Sequence, residues 1–221
     1  MRASELLINV ASGDHHQTPD ADLVFAGWPA AATIPTEAAI HIVRSRADLA
    51  RAAQLRRDLT DINGFCRAEA IEPIDLCSLV FVAEDRAEAV ATVRLTRASD
   101  AINDRRLGLL IEAAQPEDLE SAMVVSAVAV RPAPRGPALM VPLLLQVYRS
   151  AHLAGAKQSL LAAEEPMVPM FSSRGWTRTG RSFVDPEGGT VQVLKYAQID
   201  LNALRRSDSP LLSVADDFLG R

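Results

Sequence analysis

Apolar positions in this chain recur at two spacings, near 3.6 residues and at two, and the switches between them mark its elements. Ala39–Val43 is a short β-run. Ser45-Arg46-Ala47-Asp48 then forms a capping-box pattern. Leu49, Ala52, Leu55, Leu59 and Ile62 follow at helical spacing, and Gly64 is a natural stop. A loop holding Glu72, Pro73 and Asp75 leads to Leu79–Ala83, which reads as a strand. Glu84-Asp85-Arg86 reads as a turn and Ala87–Thr96 as a second strand, predicting an antiparallel hairpin. Polar Ser99–Asp104 leads into a helix predicted over Arg105–Ala114, ended near Pro116.

Ala122–Val130 is almost unbroken apolar sequence rich in valine, which predicts a central strand covered on both faces. After Arg-Pro-Ala-Pro-Arg-Gly-Pro comes a long apolar helix through Met140, Leu143, Leu144, Val147, Tyr148 and Ala151, ended by Gly155. Gln158–Ala163 is another strand, and Pro166–Arg174 a short helix closed by Gly175. Two last strands, about Thr177–Val184 and Thr190–Gln198, flank an Asp-Pro-Glu-Gly-Gly turn, and Asp200–Arg206 is one more helical turn. The order β-α-β-β-α-β-α-β-α-β-β is α/β: a mixed sheet with helices on both faces. Residues 1–37 read as a loosely attached extension, 38–206 as the domain and 207–221 as a polar tail. His15 and His16 in the extension read as solvated rather than as metal ligands.

At 221 residues, 48% hydrophobic and 23% charged, the chain buries a full core without a metal or disulfide staple. A net charge of −5 argues against a dedicated nucleic-acid binder, and the arginine pairs at 56–57, 105–106 and 205–206 are scattered. Cys66 and Cys77 lack metal-site spacing, which argues against a disulfide framework or a structural zinc. No apolar run approaches the roughly 20 residues of a membrane span, and the opening apolar stretch is short for a signal peptide. The expectation is a cytoplasmic protein. No G-x-S-x-G, G-x-G-x-x-G or P-loop occurs, which disfavours serine hydrolases, dinucleotide oxidoreductases and NTPases.

Two places carry candidate chemistry. A strand ends at Val130, the chain turns through Arg135-Gly136, and a helix starts at Pro137, a favoured first helical residue. Such a joint offers free N–H groups and a positive dipole end to a phosphate; it is equally a plain strand-loop-helix connection. Arg94 lies in a strand among Val90, Thr92 and Leu95, where an arginine needs a partner. Asp75 or Glu72 supplies one, and both a structural ion pair and a substrate contact stand open.

Ala133-Pro134-Arg135-Gly136-Pro137-Ala138 is similar to a Q/R-x-x-G-x-G/A signature, and Phe171-Ser172-Ser173-Arg174-Gly175-Trp176 to a later Y-x-x-x-G-F. With the element order, these make Ala39–Gln198 resemble the GCN5-related N-acetyltransferase (GNAT) superfamily, whose sheet is mixed and mostly antiparallel. Arg56, Asp75, Thr92-Val93-Arg94-Leu95 and the closing Asp-Leu-x-x-Leu with Ser209-Pro210 resemble one branch. That branch holds the acyl-homoserine-lactone synthases and the long-chain N-acyl amino acid synthases. The resemblance implies acyl transfer from a pantetheine thioester, acyl-CoA or acyl carrier protein, to a small-molecule primary amine, with no permanently bound cofactor. It places Val128, Val130, Arg135, Gly136, Pro137 and Ala138 at the donor, with the N–H near Val128 polarising the thioester carbonyl. Arg56, Asp75, Arg94 and Phe171 fall on the substrate side.

The chain departs from that pattern. Ala133 replaces the leading Gln or Arg, and the branch's E-x-S-R-x-x-V is here Val124-Val125-Ser126-Ala127-Val128-Ala129-Val130. The frequent general-acid tyrosine falls at Phe171. Losing a general acid costs roughly 3–5 kcal/mol, whereas alignment of amine and thioester supplies roughly 7–11. The remaining catalytic candidates are Ser126 and Glu164, the latter followed by Glu165. An acetyl-CoA-dependent N-acetyltransferase and a non-catalytic thioester binder are the alternatives.

Overall fold

The computed structural model describes residues 40–63, 71–85, 87–132, 136–186, 188–198 and 200–212. The extension at 1–37, Gly64, Cys66, Arg86, Arg135 and the end of the tail lie outside the described residues.

Seven strands form one sheet: β1 (Ile40–Ile42), β2 (Leu79–Asp85), β3 (Glu88–Arg97), β4 (Ala122–Val130), β5 (Gln158–Ala163), β6 (Thr177–Val184) and β7 (Thr190–Ala197). Their order is β1-β2-β3-β4-β5-β7-β6. Only β4 and β5 pair in parallel; every other neighbour is antiparallel. Among the described residues six α-helices cover the faces: α1 (Arg46–Asn63), α2 (Ala98–Ala101), α3 (Leu107–Ala114), α4 (Gly136–Leu153), α5 (Val168–Ser172) and α6 (Leu201–Arg206).

Strand alternation sorts the core into layers. Phe81, Val93, Leu95, Met123, Val125, Leu161 and Leu194 face α4, whose Leu143, Leu144 and Val147 they bury. Val80 and Val82 meet Leu49 and Ala52 of α1. Val124, Leu160 and Val193 meet Leu107, Leu110 and Ile111 of α3. Each such buried aliphatic contributes about 1.5–3 kcal/mol, so packing on both faces holds the sheet.

Helix α1 begins as its sequence predicts, with the Asp48 N–H donating to Ser45 Oγ at 3.1 Å. Three expectations are corrected. The polar stretch from Ser99 contains a helical turn, α2, because Ala98 and Ala101 lie three residues apart and are both fully buried in the α3 layer. Strand β4 is covered on both faces only over Ala122–Val125; from Ser126 to Val130 it is half-buried. The hairpin strands also run further than expected, through Glu84 and Asp85, which pair with β3 instead of forming the turn.

Candidate active site

The half-buried end of β4 results from a change in pairing. β4 matches β5 only at Ala122↔Gln158, Met123↔Ser159 and Val124↔Leu160. Beyond Val124 it stays on β3 as far as Val130, while β5 stays on β7 as far as Ala163. The two parallel strands part, and a cleft opens between them.

A β-bulge sits where they part. Thr92 faces Ala129 and Arg94 faces Ser126, so Ala127 and Val128 together oppose Val93. Ala127 takes φ +49°, a left-handed conformation uncommon for a residue with a β-carbon. An extra residue bends the bulged strand and re-aims its peptide groups. Val128 and Val130 both pack on the α4-side core, so this segment is anchored.

The expected donor residues continue from this strand. Gly136, Pro137 and Ala138 are the first three residues of the 18-residue helix α4. Its first turn has backbone N–H groups without intrahelical partners, and Pro137 has none to leave unpaired. Glu164 follows β5 directly, exposed, as the cap of a 3-10 turn at Glu165–Met167. Its neighbour Glu165 is paired with Arg178.

On the opposite face of the sheet a buried charge network reaches Ser126. Pro73–Cys77 forms a 3-10 turn with Glu72 at its N-cap, in a reciprocal capping box with Asp75. The turn points the Asp75 carboxylate inward, where it is fully buried. Arg56 binds it with both forks, Nη1 to Oδ1 at 2.9 Å and Nη2 to Oδ2 at 2.7 Å. Arg94 Nη1 donates to Oδ1 at 3.0 Å, and the Glu72 N–H to Oδ2 at 3.0 Å. Arg94 Nη1 also pairs with the Glu72 carboxylate, and its Nε donates to Ser126 Oγ at 3.0 Å.

These contacts divide the named residues into two groups. Arg56 is 7% exposed and engaged with Asp75, so both are interior residues that fix others in place. Arg94 is buried but links Asp75 to Ser126, and Glu72 reaches solvent. Burial pushes the Asp75 carboxyl up, yet Arg56 and Arg94 outweigh it and hold the group below the usual carboxylate range. Burial likewise opposes charge on Arg94, and Glu72 and Asp75 outweigh it. Both candidate partners of Arg94 are therefore its partners. Because Ser126 Oγ accepts the Arg94 Nε–H, its own hydrogen is left to donate, which suits an oxyanion or carbonyl partner better than the role of base.

Phe171 is 4% exposed and meets Trp176 edge-on at 6.3 Å between ring centroids, within the α4-side core. It lies apart from the Arg94 network, on the other face of the sheet. Sequence reasoning missed the group formed by Tyr148, Ser159, Tyr196 and Gln198 below the cleft. Only their scattered polarity in otherwise apolar segments signalled it.

No family model matches the sequence, and no curated protein matches it. Solved structures do match. FeeM, an N-acyl amino acid synthase from uncultured soil microbes, superposes with a TM-score of 0.61 at 13% identity, over 79% of this chain and 96% of that one. BjaI, a CoA-dependent acyl-homoserine lactone synthase, gives 0.59 at 16% identity, over 82% and 89%. An acyl-CoA N-acyltransferase from Pseudomonas aeruginosa gives 0.50 at 15% identity, over 68% and 91%. The likeness is one of fold: the mixed, mostly antiparallel sheet with helices on both faces, which the resemblance to the GNAT superfamily implied, is shared with these acyltransferase structures. Among the described residues, no helix is long and apolar enough to cross a membrane.

Proposed function

We propose that residues 38–206 form an N-acyltransferase domain that moves an acyl group from a pantetheine thioester to a primary amine, such as that of an amino acid. The observation that carries this reading is the β4–β5 cleft, with a bulge at Ala127 on one wall and the first turn of α4 following that same strand. Acyl-CoA and acyl carrier protein both present the same phosphopantetheine arm. Its phosphate suits the N–H groups of Gly136 and Ala138, with Arg135 adding charge. The thioester carbonyl suits the N–H of Val128, beside the bulge.

In the reaction the amine nitrogen attacks the thioester carbonyl carbon, and the tetrahedral intermediate collapses to an amide and a thiolate. Glu164, exposed at the end of β5, takes the proton the amine loses. The thiol has a pKa near 8.5, so the thiolate departs without a tyrosine acid, consistent with Phe171 at that position. Arg94 and Ser126 hold the acceptor's carboxylate or carbonyl, with Arg56 and Asp75 keeping Arg94 in place. The reaction belongs in the cytoplasm, where acyl thioesters are made.

Mass spectrometry of lipid extracts from cells expressing the protein, against empty-vector cells, tests this. A new N-acyl amino acid identifies reaction and acceptor together. Melting curves with CoA, acyl-CoA and acyl carrier protein separate the rival readings, because a ligand that binds the native state raises Tm. A shift with product from acetyl-CoA alone makes the protein an acetyltransferase. A shift without transfer to any amine makes it a thioester binder, and no shift with any donor refutes the donor site.

A further inference from the structure

Arg94 is held on two of its three nitrogens. Nη1 pairs with Glu72 and donates to Asp75 Oδ1 at 3.0 Å, and Nε donates to Ser126 Oγ at 3.0 Å. Among the described residues Nη2 has no hydrogen-bond partner. In a planar guanidinium one Nη2–H lies beside Nε–H and points the same way. An oxygen that accepts from Nη2 therefore sits next to Ser126 Oγ, whose own hydrogen is free to donate to it. Arg94 and Ser126 together make a two-donor seat for one oxygen atom, where β4 has become half-buried beyond its pairing with β5.

The charge around that seat decides which oxygen it takes. Arg56 and Arg94 face the carboxylates of Asp75 and Glu72, so the four charges of the network cancel. Asp75 is fully buried between both arginines, whereas the Glu72 side chain is 29% exposed. A carboxylate entering the seat would share Arg94 with Glu72 and meet its negative charge at close range, where water screens poorly. A neutral carbonyl makes the same two hydrogen bonds without that repulsion.

We propose that Glu72 is a specificity-determining residue: it directs the site toward an amine whose neighbouring carbonyl is neutral, an α-amino amide or ester, and against a free amino acid. This rests on the acyl-transfer reading and narrows its acceptor. Glu72 touches no reacting atom; it acts by balancing the charge of Arg94.

The test offers amino acids and their own primary amides as acceptors, with acyl-CoA as donor, to wild type and Glu72→Gln. Acid and amide differ in amine basicity, so the quantity read is the change in the ratio of their kcat/KM values on substitution, in which that difference cancels. Glu72→Gln should shift the ratio toward the free acid by at least about tenfold. A ratio left unchanged overturns the proposal. Calorimetric titration of the wild type with the same pairs at about pH 6, where both amines are protonated, decides independently even if the variant fails to fold. Tighter binding of the amide supports the assignment; equal or weaker binding of the amide, or none, refutes it. Tighter binding of the amide without transfer to any amine refutes the acyl-transfer reading alone, and transfer without the preference refutes the role of Glu72 alone.

Discussion

Replacing Asp75 with asparagine tests the network most directly, because the side chain keeps its shape and loses only its charge. In the wild type the carboxylate accepts four hydrogen bonds, two from Arg56, one from Arg94 and one from the Glu72 N–H. Asparagine retains a single acceptor oxygen and turns an NH₂ group toward donors that are already fixed. Arg56, 7% exposed, then loses the carboxylate that its fork holds, and Arg94 keeps Glu72 but loses Asp75. Breaking a buried pair by removing one partner costs about 3–5 kcal/mol. For a protein of this size that corresponds to a fall in Tm of about 6–20 °C. Urea melts with an unchanged slope report the free energy, and circular dichroism confirms the native fold. The pH dependence supplies a second reading. Since the Asp75 carboxyl is held below its ordinary range, its contribution is complete above that range and is lost as pH falls through the depressed value. The gap between wild type and Asp75→Asn therefore closes in acid. A loss under about 1 kcal/mol at neutral pH, or a gap independent of pH, refutes this account of the network.

Arg94→Lys removes the planar fork that spans Ser126 and Asp75. It should raise the KM for the amine at least about tenfold, or about 1.4 kcal/mol, while the CoA-induced melting shift stays the same; unchanged kinetics with a lowered Tm would assign Arg94 a structural role alone. Ala127→Val places a branched side chain at φ +49° and should destabilise by about 1–3 kcal/mol, whereas Ala127→Gly should stabilise slightly, both read from urea midpoints. Gly175→Ala should lower stability by a similar amount: φ is +96°, and a β-carbon there would lie 3.0 Å from Leu204 Cδ2 and 3.1 Å from Tyr196 Cε2.

Local signals in the sequence determined most of the architecture. The short apolar runs at Leu79–Ala83, Ala87–Thr96 and Gln158–Ala163, the Ser45 cap and the glycines at 155 and 175 each act within a few residues. The corresponding elements stand where they were expected to within a residue or two at most ends. The extended apolar run Ala122–Val130 correctly marked the central strand, and an arginine inside a strand correctly demanded an acidic partner.

Tertiary structure alone decided the rest. Ser126 meets Arg94 across 32 residues of chain, and Arg56 meets Asp75 across 19, through strand register and helix docking that no local pattern encodes. Every residue from Ala122 to Val130 is apolar or small except Ser126, so composition could not show that coverage stops after Val125. That boundary depends on where β4 exchanges its partner, and on a bulge at an alanine that carries no sequence mark. Pairing register is a property of two strands at once. A one-residue slip reverses every side chain, so the cleft and the contact between Arg94 and Ser126 exist only once the whole sheet has formed.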